Sequence, residues 1–150
     1  MKLLLLYATN SGGTEMAAQT IAQQLPGHNV DVKRAAEATS DDLANYDAVI
    51  LGSPSWDFDG KEGQPHDDFW LFKKQMDGKT VEGKKFAIFG LGDSSYKIFC
   101  GAVDELEKWI SEWKGVKIVD SLRMDKYYYR QAENAQAVEE WCKKLMDVLK

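Results

Sequence analysis

Three short stretches of this chain concentrate side chains with chemistry to offer. Thr9-Asn10-Ser11-Gly12-Gly13-Thr14 joins four small polar side chains to two glycines, directly after the apolar run Leu3–Ala8. A helical pattern follows it. Hydroxyls, backbone N–H groups left free at a helix start and the positive end of the helix dipole together make an anion site. The stretch holds no Lys or Arg, so it is not the nucleotide-hydrolase P-loop, and it lacks the G-x-G-x-x-G of dinucleotide binders. Its length and hydroxyl density favour a phosphate monoester over a plain turn with a helix cap.

The second stretch, Ser53-Pro54-Ser55-Trp56-Asp57-Phe58-Asp59-Gly60, places a tryptophan in a turn of small, acidic and Gly/Pro residues. Alone, Trp56 suits the covering of a core as well as it suits a platform for a flat ligand. The third is Gly90-Leu91-Gly92-Asp93-Ser94-Ser95-Tyr96, continued by Phe99-Cys100-Gly101. Gly90 and Gly92 allow close backbone approach, and the Asp93 carboxylate can accept hydrogen bonds from ring N–H groups. Two aromatics flanking an acid-and-amide pocket, with a phosphate site beside it, point to a flat heteroaromatic ring that bears a phosphate. FMN has all of those features.

The elements between these stretches bring them together. Leu3–Ala8, Val30–Lys33, Ala48–Gly52, Phe86–Gly90 and Val116–Val119 read as strands, three of them continuously apolar, as strands covered on both faces are. Helical stripes separate them: Ala18/Ile21/Ala22/Leu25 before Pro26-Gly27, Phe69/Phe72/Met76, Val103/Leu106/Ile110/Trp113, and Val138/Trp141/Cys142/Leu145/Leu149. Ser40-Asp41-Asp42-Leu43 reads as a short capped helix. Alternation of this kind gives one α/β domain over residues 1–150, a doubly wound five-stranded parallel sheet of order 2-1-3-4-5 with helices on both faces. Ligands of such sheets bind at the carboxyl ends of the strands, where the three stretches fall.

A length of 150 residues suits one well-cored domain, and the net charge of −5 argues against nucleic acid and anionic lipid surfaces as partners. It favours partners with basic patches. Leu3–Ala8 is too short for a signal peptide and no stretch reaches the roughly 18 apolar residues of a membrane span. Cys100 and Cys142 form no CxxC, which predicts reduced thiols and a cytoplasmic setting.

The sequence resembles the flavodoxins. "TNSGGT" matches their phosphate loop, "GLGDSSYKIFCGAVDELE" is similar to their fourth-strand signature almost residue for residue, and the likeness runs the length of the chain. "VKIVDSLRMD" runs on without an inserted loop, as in the short-chain members. By that resemblance Thr9, Asn10, Ser11, Gly12, Gly13 and Thr14 wrap the phosphate of FMN, with Ser11 where threonine is usual. Trp56 packs on one face of the isoalloxazine and Tyr96 stacks on the other. Pro54 and Ser55 lead into the ring-binding turn, while Leu91, Gly92 and Asp93 meet the pyrimidine edge. Phe99 and Cys100 stand beside the site, Cys100 reading equally well as a small core residue.

Asp57 departs from the family, where glycine often follows the aromatic and the peptide flips on one-electron reduction. The flipped turn needs positive φ, which suits glycine and costs other residues about 1 kcal/mol. Asp57 is therefore expected to weaken the semiquinone. The resemblance implies a monomeric, low-potential one-electron carrier, no enzyme, shuttling FMN between semiquinone and hydroquinone for basic-faced reductases, oxidoreductases or hydrogenase-type systems. Asp57, Asp59, Glu62, Asp67, Asp68 and Asp93 would disfavour the extra negative charge of the fully reduced ring and steer such partners; each reads equally well as part of a solvated loop or, at Asp67-Asp68, a helix N-cap.

The chief rival is a small FMN-dependent NAD(P)H:quinone-type reductase, for which no second nucleotide site can be read. A phospho-acceptor signalling domain needs acids where Ala8-Thr9 and Gly52-Ser53 stand, and a low-molecular-weight phosphatase needs a C-x5-R loop. No metal cluster can be read, and His28 and His66 have no catalytic companions in sequence. Lys126-Tyr127-Tyr128-Tyr129-Arg130 flanks the site or a partner contact, or packs a ring or two on the final helix.

Overall fold

The computed structural model describes all 150 residues. Six strand segments form one parallel sheet: β1 (Lys2–Tyr7), β2 (Asn29–Arg34), β3 (Ala48–Pro54), β6 (Lys85–Gly92), β7 (Val116–Lys117) and β8 (Leu122–Asp125). The order is β2-β1-β3-β6, with β7 and β8 both pairing on the outer side of β6. The fifth position is thus one broken strand. The five-position order 2-1-3-4-5 expected from the alternation is present, but "VKIVDSLRMD" does not run straight through it.

Strand geometry explains the two cores. Successive side chains point to opposite faces, so a fully apolar run feeds both. Leu4, Leu6, Val49, Leu51, Phe86 and Ile88 face one side, under α2 (Asp67–Gln75) and α3 (Gly101–Glu112). Leu3, Leu5, Ile50, Ala87 and Phe89 face the other, under α1 (Gly13–Gln23) and α4 (Gln131–Val148). Trp109, Trp113 and Trp141 are buried in these layers, as their helical spacing predicts. The short helix expected at Ser40 is a 3-10 turn, Ser40–Asn45, capped one residue earlier by Thr39, whose N–H donates to the Asp42 carboxylate at 2.8 Å.

A further element differs from the sequence reading. The stretch around Trp56 is not an open turn: β4 (Trp56–Phe58) and β5 (Lys61–Gln64) pair antiparallel, closed by Asp59 and Gly60 at φ 54° and 77°. Asp-Gly at that point suits a tight hairpin, whose central residues need positive φ. Asp57 lies inside the strand and its φ is not positive. The residue in the glycine-favouring region is Asp59.

Four contacts hold this hairpin over the sheet edge. The Phe58 ring stacks on Trp70 of α2, with centroids 5.1 Å apart. Trp56 stacks on His66, which caps α2 by accepting the Asp68 N–H on Nδ1. Ser55 Oγ accepts the Ala102 N–H at the start of α3. Gly63 and Gly101 touch backbone to backbone, leaving no room for a side chain between them.

Candidate functional site

The carboxyl ends of β1, β3 and β6 bring the three stretches together. After β1, Thr9–Gly12 forms an irregular loop that turns into α1 through Gly12 at φ 91°. Thr9 Oγ1 accepts the Gly12 N–H at 2.8 Å. The backbone N–H groups of Asn10, Ser11, Gly13, Thr14 and Glu15 donate to nothing within the chain. The Thr14 hydroxyl also makes no hydrogen bond although the residue is buried. A cluster of free amides at a helix start, without a cation, fits a phosphate group.

Beside it lies a cavity of about 340 Å³, lined by Ser55, Trp56, Asp57, Glu62, Gly63, Gly92, Asp93, Tyr96 and Ile98. Seven of these were named from sequence, Glu62 as one of the acids around the ring. Gly63 and Ile98 were missed, because they line the cavity only once β5 folds back. The Asp-Gly turn signal at 59–60 would have revealed that fold. Tyr96 is 68% exposed, an aromatic face held open at the rim. Trp56 is half-buried, and its Nε1 is buried without a hydrogen-bond partner. Leu91 joins the two halves of the edge: its Cδ2 lies 3.2 Å from where a Gly13 Cβ would stand, and its carbonyl accepts the Ser55 N–H at 3.0 Å. Pro54 closes β3 just before.

The remaining named residues sit behind the cavity. Phe99 packs against the core and Cys100 is fully buried, so neither lines the cavity in this structure. The Cys100 Sγ faces the Met124 carbonyl at 3.8 Å, and burial pushes the thiol up to about 12. Burial alone does the same to Cys142. Both are free thiols acting as small core residues. Cys100 takes φ 51° at the start of α3, where its carbonyl accepts from Val103 N–H and from Arg123 at 3.1 Å. Arg123 is itself fixed by Asp104 and Glu107, which raises its pKa above the ordinary guanidinium value.

Gly92 serves this same packing. A Cβ there would sit 2.8 Å from the Cys100 Sγ and 2.9 Å from its backbone N, so the close approach inferred for Gly92 is to the chain itself. Gly90 likewise makes room for Val103.

Electrostatics order the third loop from within. Asp93 Oδ1 accepts the Ser95 side chain and N–H, and the Ser95 hydroxyl above all holds its pKa below the ordinary 3.8. That oxygen is engaged by its own turn, and only Oδ2 is left for a ligand. Asp125, at the end of β8, accepts the Ser94 hydroxyl and N–H, and its pKa falls for the same reason. The Lys126 N–H donates to the Gly92 carbonyl at 2.9 Å, clipping the loops after β6 and β8 together. The acid set divides. Asp57, Glu62 and Asp93 line the cavity, whereas Asp67 and Asp68 form the first turn of α2.

The flavodoxin family model matches residues 5–143. This chain belongs to the flavodoxin family. It is 37% identical over 127 residues to a flavodoxin of Maridesulfovibrio salexigens, a match covering 83% of this chain and 86% of that one. The crystal structure of oxidised Flavodoxin 2 from Bacillus cereus overlays with a TM-score of 0.86 at 27% identity, covering 98% and 99% of the two chains. The flavodoxin of Fusobacterium nucleatum bound to flavin mononucleotide shares the fold at a TM-score of 0.82 and 17% identity, with 97% of each chain covered. The doubly wound architecture read from the alternating pattern is that of these flavodoxins. No helix is long and apolar enough to cross a membrane.

Proposed function

We propose that this flavodoxin holds FMN non-covalently across this sheet edge and carries single electrons between protein partners. The observation that carries the proposal is the juxtaposition itself: unbonded amides and a free threonine hydroxyl at the start of α1, next to a cavity walled by Trp56 and Tyr96. The amides of Asn10, Ser11, Gly13, Thr14 and Glu15, with the hydroxyls of Thr9, Ser11 and Thr14, are placed to hold a phosphate. Trp56 and Tyr96 would flank the ring, with the Gly92 and Asp93 amides at its polar edge. When bound, the flavin supplies the one-electron chemistry; the chain supplies binding, orientation and electrostatics.

Asp57, Glu62 and Asp93 line the cavity and no Lys or Arg does. Negative charge added there is disfavoured by like charge and by partial desolvation. Full reduction of the bound group is therefore held to low potential, and the carrier cycles between its one-electron-reduced and fully reduced forms. The same acids, on a chain of net charge −5, attract basic-faced redox partners to the exposed rim. Association rates with such partners fall as salt rises.

A reductase that draws hydride from a nicotinamide would need a second nucleotide site. Two further cavities are lined by Gln23, Pro26 and the end of α4, or by Phe58 and α2, and neither Trp56 nor Tyr96 lines either of them. Mixing apoprotein with FMN and then NADH or NADPH tests both statements. Stoichiometric quenching of FMN fluorescence, with no bleaching by either nucleotide alone, is the expected result. No quenching would refute the cofactor, and rapid bleaching would make the protein a reductase.

A further inference from the structure

Tyr128 belongs to the turn after β8, yet it reaches the loop after β1, 117 residues away along the chain. Its hydroxyl donates to the Ser11 carbonyl at 2.8 Å. The other end of the same peptide, the Gly12 N–H, donates to Thr9 Oγ1 at 2.8 Å. The Ser11–Gly12 peptide is thus pinned at both ends, with Gly12 in the left-handed region at φ 91°. A carbonyl free to turn inward would place its negative end among the amides of Asn10, Ser11, Gly13 and Thr14. Tyr128 keeps it turned away.

The fit around Tyr128 is close. A Cβ at Gly13 would stand 3.2 Å from its hydroxyl and 3.2 Å from Leu91 Cδ2, so any larger residue there would press the tyrosine or the leucine back by a few tenths of an ångström. Tyr127, packed against the core under α4, meets the Tyr128 ring edge-on at 5.7 Å and sets its direction. Tyr129 is 90% exposed and takes no part. The three consecutive tyrosines have three different environments, and only the middle one touches the candidate site.

We propose that Tyr128 is a positioning residue for the phosphate half of the site, holding the Ser11–Gly12 peptide so that the loop prefers a phosphorylated flavin to the same flavin without phosphate. The proposal rests on the reading of this edge as an FMN site. It concerns the phosphate loop alone: Tyr128 does not line the cavity walled by Trp56 and Tyr96.

The test is Tyr128→Phe, which removes one O–H and keeps the ring, with Tyr129→Phe as control. Dissociation constants of each apoprotein for FMN and for riboflavin are measured by flavin fluorescence quenching, with apoprotein thermal unfolding checked alongside. The expected result is FMN binding weakened about five- to tenfold, the scale of one lost hydrogen bond. Riboflavin binding stays within about twofold, so the preference for FMN falls by the same factor. Tyr129→Phe changes neither. An unchanged preference in Tyr128→Phe would overturn the proposal, as would equal weakening of both ligands, which marks a general loosening of the fold. A wild-type protein that binds riboflavin as tightly as FMN would overturn the phosphate-loop reading itself, and this inference with it.

Discussion

Replacing Gly101 by alanine tests how the flavin site is built. The new Cβ would lie 2.3 Å from the Gly63 carbonyl oxygen and 2.9 Å from the Gly63 Cα. An ordinary carbon–oxygen contact is about 3.3 Å, so the shortfall is about 1 Å. Both sides are backbone, and no rotamer can relieve it. Either the start of α3 or the β4–β5 hairpin must recede. Recession strains the Ala102 N–H to Ser55 Oγ bond, 3.0 Å in the intact protein. Overpacking of this kind costs about 1–3 kcal/mol. The helix-propensity gain over glycine, up to about 1 kcal/mol in a helix interior, is smaller at this first helical residue.

We therefore expect Gly101→Ala apoprotein to lose about 1–2 kcal/mol in urea unfolding. FMN should bind at least about fivefold more weakly, because the hairpin carries Trp56 and Asp57. Gly60→Ala is the control. It stands at positive φ, 77°, which Gly101 does not, and a Cβ there meets nothing within 4 Å. It should cost about 1 kcal/mol of backbone strain and little flavin affinity. A Gly101→Ala protein with wild-type midpoint and FMN affinity within twofold would refute the reasoning, since the hairpin would then not be fixed by that contact.

Other outcomes follow from the same structure. Asp57→Gly should raise the first reduction potential by about 40 mV, the equivalent of about 1 kcal/mol for one electron, if Asp57 leaves its strand for positive φ on reduction; spectroelectrochemistry decides, and an unchanged potential refutes it. Cys100 and Cys142, buried with thiols pushed up to about 12, should react with a soluble disulfide reagent at pH 8 only after unfolding. Fast reaction of either in the native protein would contradict their core placement. Asp93 and Asp125 have depressed pKa values, so their ordering of the loop is complete above the ordinary 3.8 and lost as pH falls through the lower folded values. Ser94→Ala, which deletes a bond to Asp125, should move acid release of FMN to higher pH; a shift the other way would refute the sign.

The strands were legible because both faces of the sheet are covered, which leaves Leu3–Leu6, Ala48–Leu51 and Phe86–Phe89 continuously apolar. The helices showed through their stripes, and the site through small polar and aromatic residues placed just after strands. What stayed hidden depends on return contacts. The strands of the hairpin, three and four residues long, are too short for a period to appear. Gly63 meets Gly101, and Tyr128 meets Ser11, only after distant parts of the chain close on one another. Gly92 was identified as a point of close approach; it lines the cavity, and the chain neighbour that leaves no room for a Cβ there is Cys100. Asp57 was placed in a turn by resemblance, as the residue after the aromatic, but the Asp-Gly turn falls two residues later and the positive φ belongs to Asp59.

The most direct test of the central claim is the visible spectrum of the FMN-loaded protein during anaerobic, stepwise reduction. A one-electron carrier should pass through a distinct long-wavelength absorbing species after the first electron equivalent and bleach with the second, at a clearly lower potential. A protein that loses its colour in a single two-electron step, with no intermediate spectrum, would contradict the account.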